Sequence, residues 1–191
     1  AFALPSIIKI YSSESAGDFS KLIIAEINKY YPQIKATTTN IPGKSTIRLH
    51  IKKNSSDNSD EGYSLKIDHE GIDISAKTPN GIFYGIQTLN SLISASEKQI
   101  VPCCNIKDWP SLQVRGAYFN IINMSSSGIH YLKKLISLMA NLKMNTIVLE
   151  FGDNFPFKKQ KFNRKEVLTR AEIKDIVRYA QKRYIKVIPY M

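Results

Sequence analysis

Two carboxylates follow a short apolar run in the second half of the chain. Glu150 lies at the end of a predicted buried strand, residues 146–151, and Asp153 comes soon after it. Carboxylates placed like this could do acid–base chemistry or position a hydroxylated substrate such as a sugar. In a simpler interpretation, Glu150 pairs with a basic neighbour and Asp153 caps the turn before Asn154. The residues alone leave both interpretations open.

Arg115 is a further candidate, near the start of the predicted strand 114–122. Its planar guanidinium could donate to two adjacent oxygens of a ligand. Taken alone, the residue is better explained by a structural salt bridge near the junction between the two halves of the chain.

The remaining reactive residues form no constellation. His50, His69 and His130 fall on the wet face of a strand, in a turn and early in a helix, so no catalytic triad or metal cluster is expected. Cys103 and Cys104 are adjacent, a spacing that rarely allows a disulfide and does not suit a metal, and we expect both to be packing residues. The sequence predicts neither a metal nor a cofactor.

The net charge of +11 raises the question of a polyanionic partner. Residues 1–107 carry 12 Lys and Arg against 10 Asp and Glu, and residues 108–191 carry 15 against 6. The densest part, Lys158 to Lys165, lies between two regular elements and has only Phe162 as an aromatic, so a solvated loop is favoured over a nucleic-acid site. DNA binding is therefore kept only as a third hypothesis, after the two that are set out below. No apolar run is long enough to span a membrane.

The first half of the sequence predicts a small α+β domain over residues 1–107. Apolar residues recur at three- and four-residue steps over 17–31 and 78–94, which indicates two amphipathic helices. Apolar and polar residues alternate in most of the predicted strands, which cover 7–11, 46–52, 62–68 and 71–76. We therefore expect an antiparallel sheet with helices on one face. Gly81 and Gly85 share one helical face, which predicts a close approach to a neighbouring element.

From residue 108 onward, strands and helices alternate. Strands are predicted over 114–122, 146–151 and 184–189, with helices over 125–143 and after the N-cap Thr169. This order predicts parallel pairing. Gly116 fits the start of a crowded strand where no side chain is tolerated.

Several motifs resemble glycoside hydrolase family 20, the β-N-acetylhexosaminidases. The resemblance starts at Glu61-Gly62-Tyr63 and is densest in Thr78-Pro79-Asn80-Gly81-Ile82-Phe83-Tyr84-Gly85. It continues through Asp108-Trp109-Pro110, Arg115-Gly116 and the segment 138–145. The segments 149–157 and 188–190 are more similar to the hexosaminidase D branch.

The resemblance implies a fold and an activity. Residues 108–191 would form the first three strands and two helices of a (β/α)8 TIM barrel, which is incomplete here because a whole barrel needs about 250 residues. The missing portion of the barrel or a partner chain is expected to cover the open edge. The complete protein would release terminal N-acetylhexosamine from a carbohydrate by a retaining, substrate-assisted mechanism.

The resemblance also assigns roles to residues. It favours Arg115 as a sugar-binding residue, with Glu150 and Asp153 as further substrate-binding candidates, although only Asp153 is kept from the His-x-His-x-x-Asp pattern of the main branch. The catalytic Asp-Glu pair of the family is absent from residues 108–191, so no catalytic residue is assigned and the chain is expected to be inactive by itself. The alternative is a non-catalytic carbohydrate-binding or scaffolding module. Ala1-Phe2-Ala3 is similar to the end of a signal peptide and predicts a secreted or periplasmic protein.

Overall fold

The computed structural model describes residues 1–13, 19–44, 46–52, 59–96, 98–152, 155–156 and 168–191. They form two compact units, Ala1–Ser111 and Leu112–Met191. No helix in these ranges is long and apolar enough to cross a membrane.

In its described residues, the first unit contains two α-helices and eight strands. In chain order they are β1 (Phe2–Ala3), β2 (Ile7–Ser12), α1 (Ser20–Tyr30), β3 (Lys35–Thr38), β4 (Ile47–Ile51), β5 (Tyr63–Asp68), β6 (Gly71–Ala76), α2 (Pro79–Ala95), β7 (Ile100–Val101) and β8 (Cys104–Asp108). A 3-10 helix, Pro42–Lys44, lies between β3 and β4. The predicted helices and strands are all present, whereas β1, β3, β7 and β8 are too short or too polar to give a periodic signal.

The main sheet has the strand order β3-β2-β4-β6-β5-β8 and is mixed, so the predicted antiparallel sheet is wrong. The pairs β2–β3, β2–β4 and β4–β6 are parallel, and β5 is antiparallel to both β6 and β8. The connection through α1 makes β3 parallel to β2, because a strand that returns after a crossover helix pairs in parallel. Among the six strands only β5 runs in the opposite direction, since it is antiparallel to its hairpin partner β6 and to β8.

Both helices pack on one face of this sheet, as predicted. Ile23 and Ile27 of α1 and Ile82, Ile86 and Leu89 of α2 are fully buried. The two glycines of α2 allow the close approach that their spacing predicted: a Cβ at Gly81 would lie 2.7 Å from the Cβ of Ala76 on β6. At Gly85 it would lie 2.6 Å from Cγ2 of Ile74. Larger residues would therefore separate the helix from the strands.

The N-terminus of α2 and the end of β8 are fixed by polar contacts. Thr78 is the N-cap, and its side chain accepts a hydrogen bond from Gly81 N. The hydroxyl of Tyr63 donates to Asp108 Oδ2 at 2.9 Å and lies 2.6 Å from Thr88 Oγ1. The motifs of the first unit that carry the family resemblance thus meet at one junction between the helix and the sheet.

The second unit alternates strands and helices. Its elements are β9 (Gly116–Asn120), a 3-10 helix (Ser126–Gly128), α3 (Ile129–Asn141), β10 (Thr146–Glu150), α4 (Arg170–Gln181) and β11 (Lys186–Tyr190). The three strands pair in parallel in the order β11-β10-β9, which confirms the predicted pairing. Thr169 caps α4 as predicted, in a capping box with Glu172.

One face of this parallel sheet forms the core of the second unit. Ile147 and Leu149 of β10 are fully buried, as are Ile136 of α3 and Ala180 of α4. Side chains alternate along a strand, so the even-numbered residues of the three strands lie on the opposite face. Among the described residues of this unit, no helix covers that face, which carries the candidate site residues described next.

Candidate functional site

The carboxyl ends of the three parallel strands carry one polar and aromatic cluster. The register places Asn120, Glu150 and Tyr190, the last residues of their strands, side by side. Tyr118 lies one step below Asn120 on the same face. We call Tyr118, Asn120, Glu150 and Tyr190 the Glu150 cluster.

Hydrogen bonds organise the cluster around one carboxylate oxygen. The hydroxyl of Tyr118 donates to Glu150 Oε2, and Asn120 Nδ2 donates to the same oxygen at 2.9 Å. Within the described part of the chain, Glu150 Oε1 accepts no hydrogen bond. A ligand hydroxyl could therefore donate to Oε1 while the other oxygen stays held in place.

The contact with Glu150 changes the chemistry of the tyrosine. The hydrogen bond to the carboxylate raises the pKa of Tyr118 to about 12, and burial and the charge of Glu150 act in the same direction. Tyr118 is therefore a neutral hydrogen-bond donor at any physiological pH, and it is not suited to act as a general base.

Two aromatic rings border the carboxylate. The rings of Tyr118 and Tyr190 meet edge to face, with their centroids 6.3 Å apart and an interplanar angle of 67°. Each side chain is more than half exposed. A few fixed polar groups beside exposed aromatic faces are typical of sites that bind small organic ligands.

Arg115 lies at the other edge of the sheet. It precedes the first residue of β9, and the sheet register puts it five residues, or about 16 Å, from the strand ends that carry Glu150. Its Nε donates to Lys143 O at 2.9 Å and its Nη1 to Leu112 O at 2.7 Å. The structure therefore does not bring Arg115 and Glu150 together, and these contacts give Arg115 a structural explanation at the amino end of the sheet.

The other sequence predictions have mixed outcomes. Asp153 and the basic segment Lys158 to Lys165 lie outside the described residues. The described His, Cys, Asp and Glu residues form no group that could hold a metal ion. Cys103 and Cys104 are both free thiols, and the packing role is wrong for Cys103, which is exposed because it precedes β8 rather than facing the core.

Sequence reasoning missed Tyr118, Asn120 and Tyr190 as site residues. Tyr118 and Asn120 have the same parity on one strand, and Asn120 and Tyr190 both end strands, so they belong with Glu150 once the register is known. The run 114–122 does not alternate cleanly, and this hid which of its residues face away from the core.

A mixed-sheet domain followed by a parallel β/α unit, with polar groups at the carboxyl edge, defines a class of two-part α/β protein to which many hydrolases belong. The family model described as glycosyl hydrolase family 20, domain 2, matches residues 1–109. The chain therefore belongs to glycoside hydrolase family 20, and the predicted family is confirmed.

Similar proteins from several organisms carry hexosaminidase names. The chain is 34% identical over 144 residues to the β-hexosaminidase subunit beta of Entamoeba histolytica, which covers 68% of this chain and 25% of that protein. It is 30% identical over 156 residues to a β-hexosaminidase of Porphyromonas gingivalis, with 68% of this chain and 20% of that protein covered. The chain thus spans a quarter or less of these relatives.

Solved structures resemble the whole chain in fold. A mutant β-hexosaminidase of Streptomyces plicatus in complex with product superposes with a TM-score of 0.81 at 21% identity, over 100% of this chain and 42% of that one. The β-N-acetylhexosaminidase of Bacteroides fragilis gives a TM-score of 0.76 at 22% identity, over 100% and 41%. Unlike the family model, these likenesses include the second unit.

Proposed function

We propose that the complete protein to which this chain belongs is a β-N-acetylhexosaminidase that removes terminal N-acetylhexosamine from a carbohydrate, and that the Glu150 cluster contacts the sugar. The observation that carries the proposal is the position of this cluster at the carboxyl edge of a parallel sheet, in a chain whose first 109 residues match family 20. In β/α barrels, active sites are built at this edge. Relatives named β-hexosaminidase support the substrate class.

In this proposal, residues 1–107 are the hexosaminidase-type N-terminal domain and residues 108–191 are the first three strands and two helices of a (β/α)8 barrel. The even-numbered residues of β9, β10 and β11 would then face the barrel interior, where such barrels hold their inward side chains. Further barrel strands would cover β9 and β11, the two edges of the present sheet.

The chemistry follows the retaining, substrate-assisted route. A carboxylic acid protonates the glycosidic oxygen, and the acetamido group of the substrate attacks the anomeric carbon after a neighbouring Asp has oriented it. Residues 108–191 contain no adjacent Asp and Glu. The proposed share of this chain is therefore to bind and orient the sugar: Glu150 Oε1 accepts from a hydroxyl, Asn120 and Tyr118 hold Glu150, and the Tyr190 ring lies beside it.

Arg115 and Asp153 keep different places in the proposal. Asp153 remains a predicted sugar contact, because it follows the strand end that carries Glu150. For Arg115 the hydrogen bonds to two backbone carbonyls favour a role in holding the loops at the amino edge. Export to the periplasm or outside the cell also remains a prediction. Phe2 and Ala3 of the signal-like tripeptide form β1, and Phe2 is buried, so a structural role accounts for part of that pattern.

Binding of N-acetylglucosamine to the chain tests the role of the cluster. Saturation-transfer NMR should detect binding at millimolar sugar. Glu150→Gln should weaken this binding by about tenfold or more, because the sugar hydroxyl would then donate to a neutral amide instead of a charged carboxylate. Glu26→Gln, on α1 of the other unit, is the control of equal charge change and should leave binding unchanged. Equal binding by the Glu150→Gln variant would rule out the proposed contact.

Hydrolysis separates the enzyme from the carbohydrate-binding module that is its alternative. The chain should release no chromophore from an aryl N-acetylglucosaminide, whereas the complete protein should do so and should contain an adjacent Asp-Glu pair at a later strand end. A complete protein that binds the sugar but does not cleave the aryl glycoside would establish the module instead.

A further inference from the structure

The main sheet of the first unit has an open groove on the face opposite α1 and α2. The groove has a volume of about 510 Å³. His50, Ser75, Ser64 and Lys107 form a row across it, because the register pairs each with the next on β4, β6, β5 and β8. Lys52 lies one step beyond His50 on the same side. We call this depression the cationic groove.

A second row of residues lies beside the first, and its two positive side chains, Arg48 and Lys66, are paired with carboxylates. Arg48 donates to both carboxylate oxygens of Asp73, each at 2.6 Å. The ammonium of Lys66 lies 2.6 Å from Asp68 Oδ2. By contrast, no carboxylate in the described part of the chain forms an ion pair with Lys52 or Lys107, and both side chains are exposed. Among the described residues, the groove therefore has one unpaired positive charge on each of two opposite sides.

The spacing of these charges limits what could bind. His50 and Lys107 are separated by three strand spacings, or about 14 Å. This is a distance between backbones, and the flexible lysine side chains extend over the strands between them. A ligand that carries several anionic groups along a chain can pair with Lys52 and Lys107 at once while it covers the serines between them.

The groups between the charges favour a carbohydrate chain. Ser64, Ser75 and Asn105 supply two hydroxyls and an amide, which can both donate to and accept from sugar hydroxyls. No aromatic residue lines the groove among the described residues, whereas binders of single-stranded nucleic acid use aromatic rings to stack bases.

We propose that the cationic groove binds a sulfated oligosaccharide, with Lys52 and Lys107 pairing with separate sulfates and the serine row contacting the sugar between them. This site lies wholly in the first unit, and it does not depend on the Glu150 cluster or on hydrolysis.

His50 makes the binding pH-dependent. Burial lowers the pKa of His50 more than any other influence. Asp73 of β6 raises this pKa, and Lys52, just after β4, and Arg48 on β4 lower it. The ring of Tyr11 on β2 lies 5.7 Å from the imidazole between centroids. Because the pKa is below its usual 6.5, His50 is neutral at pH 7. A bound sulfate favours the charged imidazolium, so binding should raise the pKa of His50 and should tighten as the pH falls.

Calorimetric titration of the chain with a sulfated heparin hexasaccharide tests the proposal. We expect Lys52→Gln combined with Lys107→Gln to weaken binding about tenfold. The matched control is Lys134→Gln combined with Lys174→Gln, which removes two exposed helix lysines of the second unit and should leave the affinity within about twofold. NMR titration should show the pKa of His50 rising when the hexasaccharide is bound.

Three results would overturn the proposal. The desulfated hexasaccharide could bind as tightly as the sulfated one, which would remove the role of the anions. Short duplex DNA could bind equally well, which would indicate a general polyanion surface. The two double variants could also lose equal affinity, which would make the effect one of net charge, and circular dichroism would show whether each variant is folded.

Discussion

At the scale of single residues, Glu150 is a carboxylate held in place by hydrogen bonds from two neutral side chains. Two donors, Tyr118 and Asn120, share one of its oxygens. The other oxygen, Oε1, accepts no hydrogen bond from the described residues. Sequence reasoning identified Glu150 because it ends an apolar strand, but its two donors are defined by a register that a single sequence does not contain.

The pKa of Tyr118 provides a direct measure of this arrangement. In the chain, Tyr118 should lose its proton only near pH 12, and Glu150→Gln should bring this pKa back towards its usual 10, because a neutral amide stabilises the phenol less than a carboxylate does. The contact therefore stabilises the fold fully below pH 10, and that contribution disappears as the pH rises through about 12. NMR of tyrosines labelled at Cζ would follow the titration. An unchanged pKa in the variant would contradict the hydrogen bond.

At the scale of elements, the close approach of β9 and β10 depends on the absence of a side chain at Gly116. A Cβ there would lie 2.9 Å from the carbonyl carbon of Thr146, which is part of the neighbouring backbone and cannot rotate away. The sequence predicted this crowding from the position of the glycine at the start of a strand. It could not predict the mixed sheet of the first unit, because β3 and β8 have few apolar residues and their partners are distant in sequence.

Gly116→Ala should destabilise the second unit by about 1 to 3 kcal/mol, because the two strands must separate to admit the methyl group. Gly43→Ala is the matched control: a Cβ at Gly43 meets nothing within 4 Å, and the free energy of unfolding should change by less than about 1 kcal/mol. Urea unfolding followed by circular dichroism would compare the variants. Equal losses at the two positions would show that crowding against Thr146 is not the cause of the destabilisation.

At the scale of the whole molecule, the two units differ in how completely they bury their sheets. The first unit has a six-stranded sheet with two helices on its core face, and the predicted α+β class holds for it once the sheet is described as mixed. The second unit has three parallel strands whose two edge strands have no further partner among the described residues. The first helix-and-sheet domain was predictable because its helices are long and strongly periodic, whereas the open face of the second unit follows only from the three-dimensional pairing.

Residues 1–111 should therefore fold without the rest of the chain. The isolated fragment should unfold cooperatively, with a stability of about 5 to 15 kcal/mol, and should remain monomeric in size-exclusion chromatography. The full chain should associate more readily, since unpaired strand edges promote contacts between copies. A fragment without a cooperative transition, or one that aggregates more than the full chain, would contradict this prediction.

The hydrogen bonds of Arg115 have a consequence for how this protein can be altered. They join the segments that precede β9 and β10, through the carbonyl groups of Leu112 and Lys143, so the amino edge of the sheet has a structural role. The opposite margin carries the Glu150 cluster, in which Asn120 Oδ1 also accepts a hydrogen bond from Ile122 N at 3.0 Å. Under the proposed function, randomising positions 118, 150 and 190 while leaving 112–116 and 143–146 untouched would change the sugar preference without removing these backbone contacts.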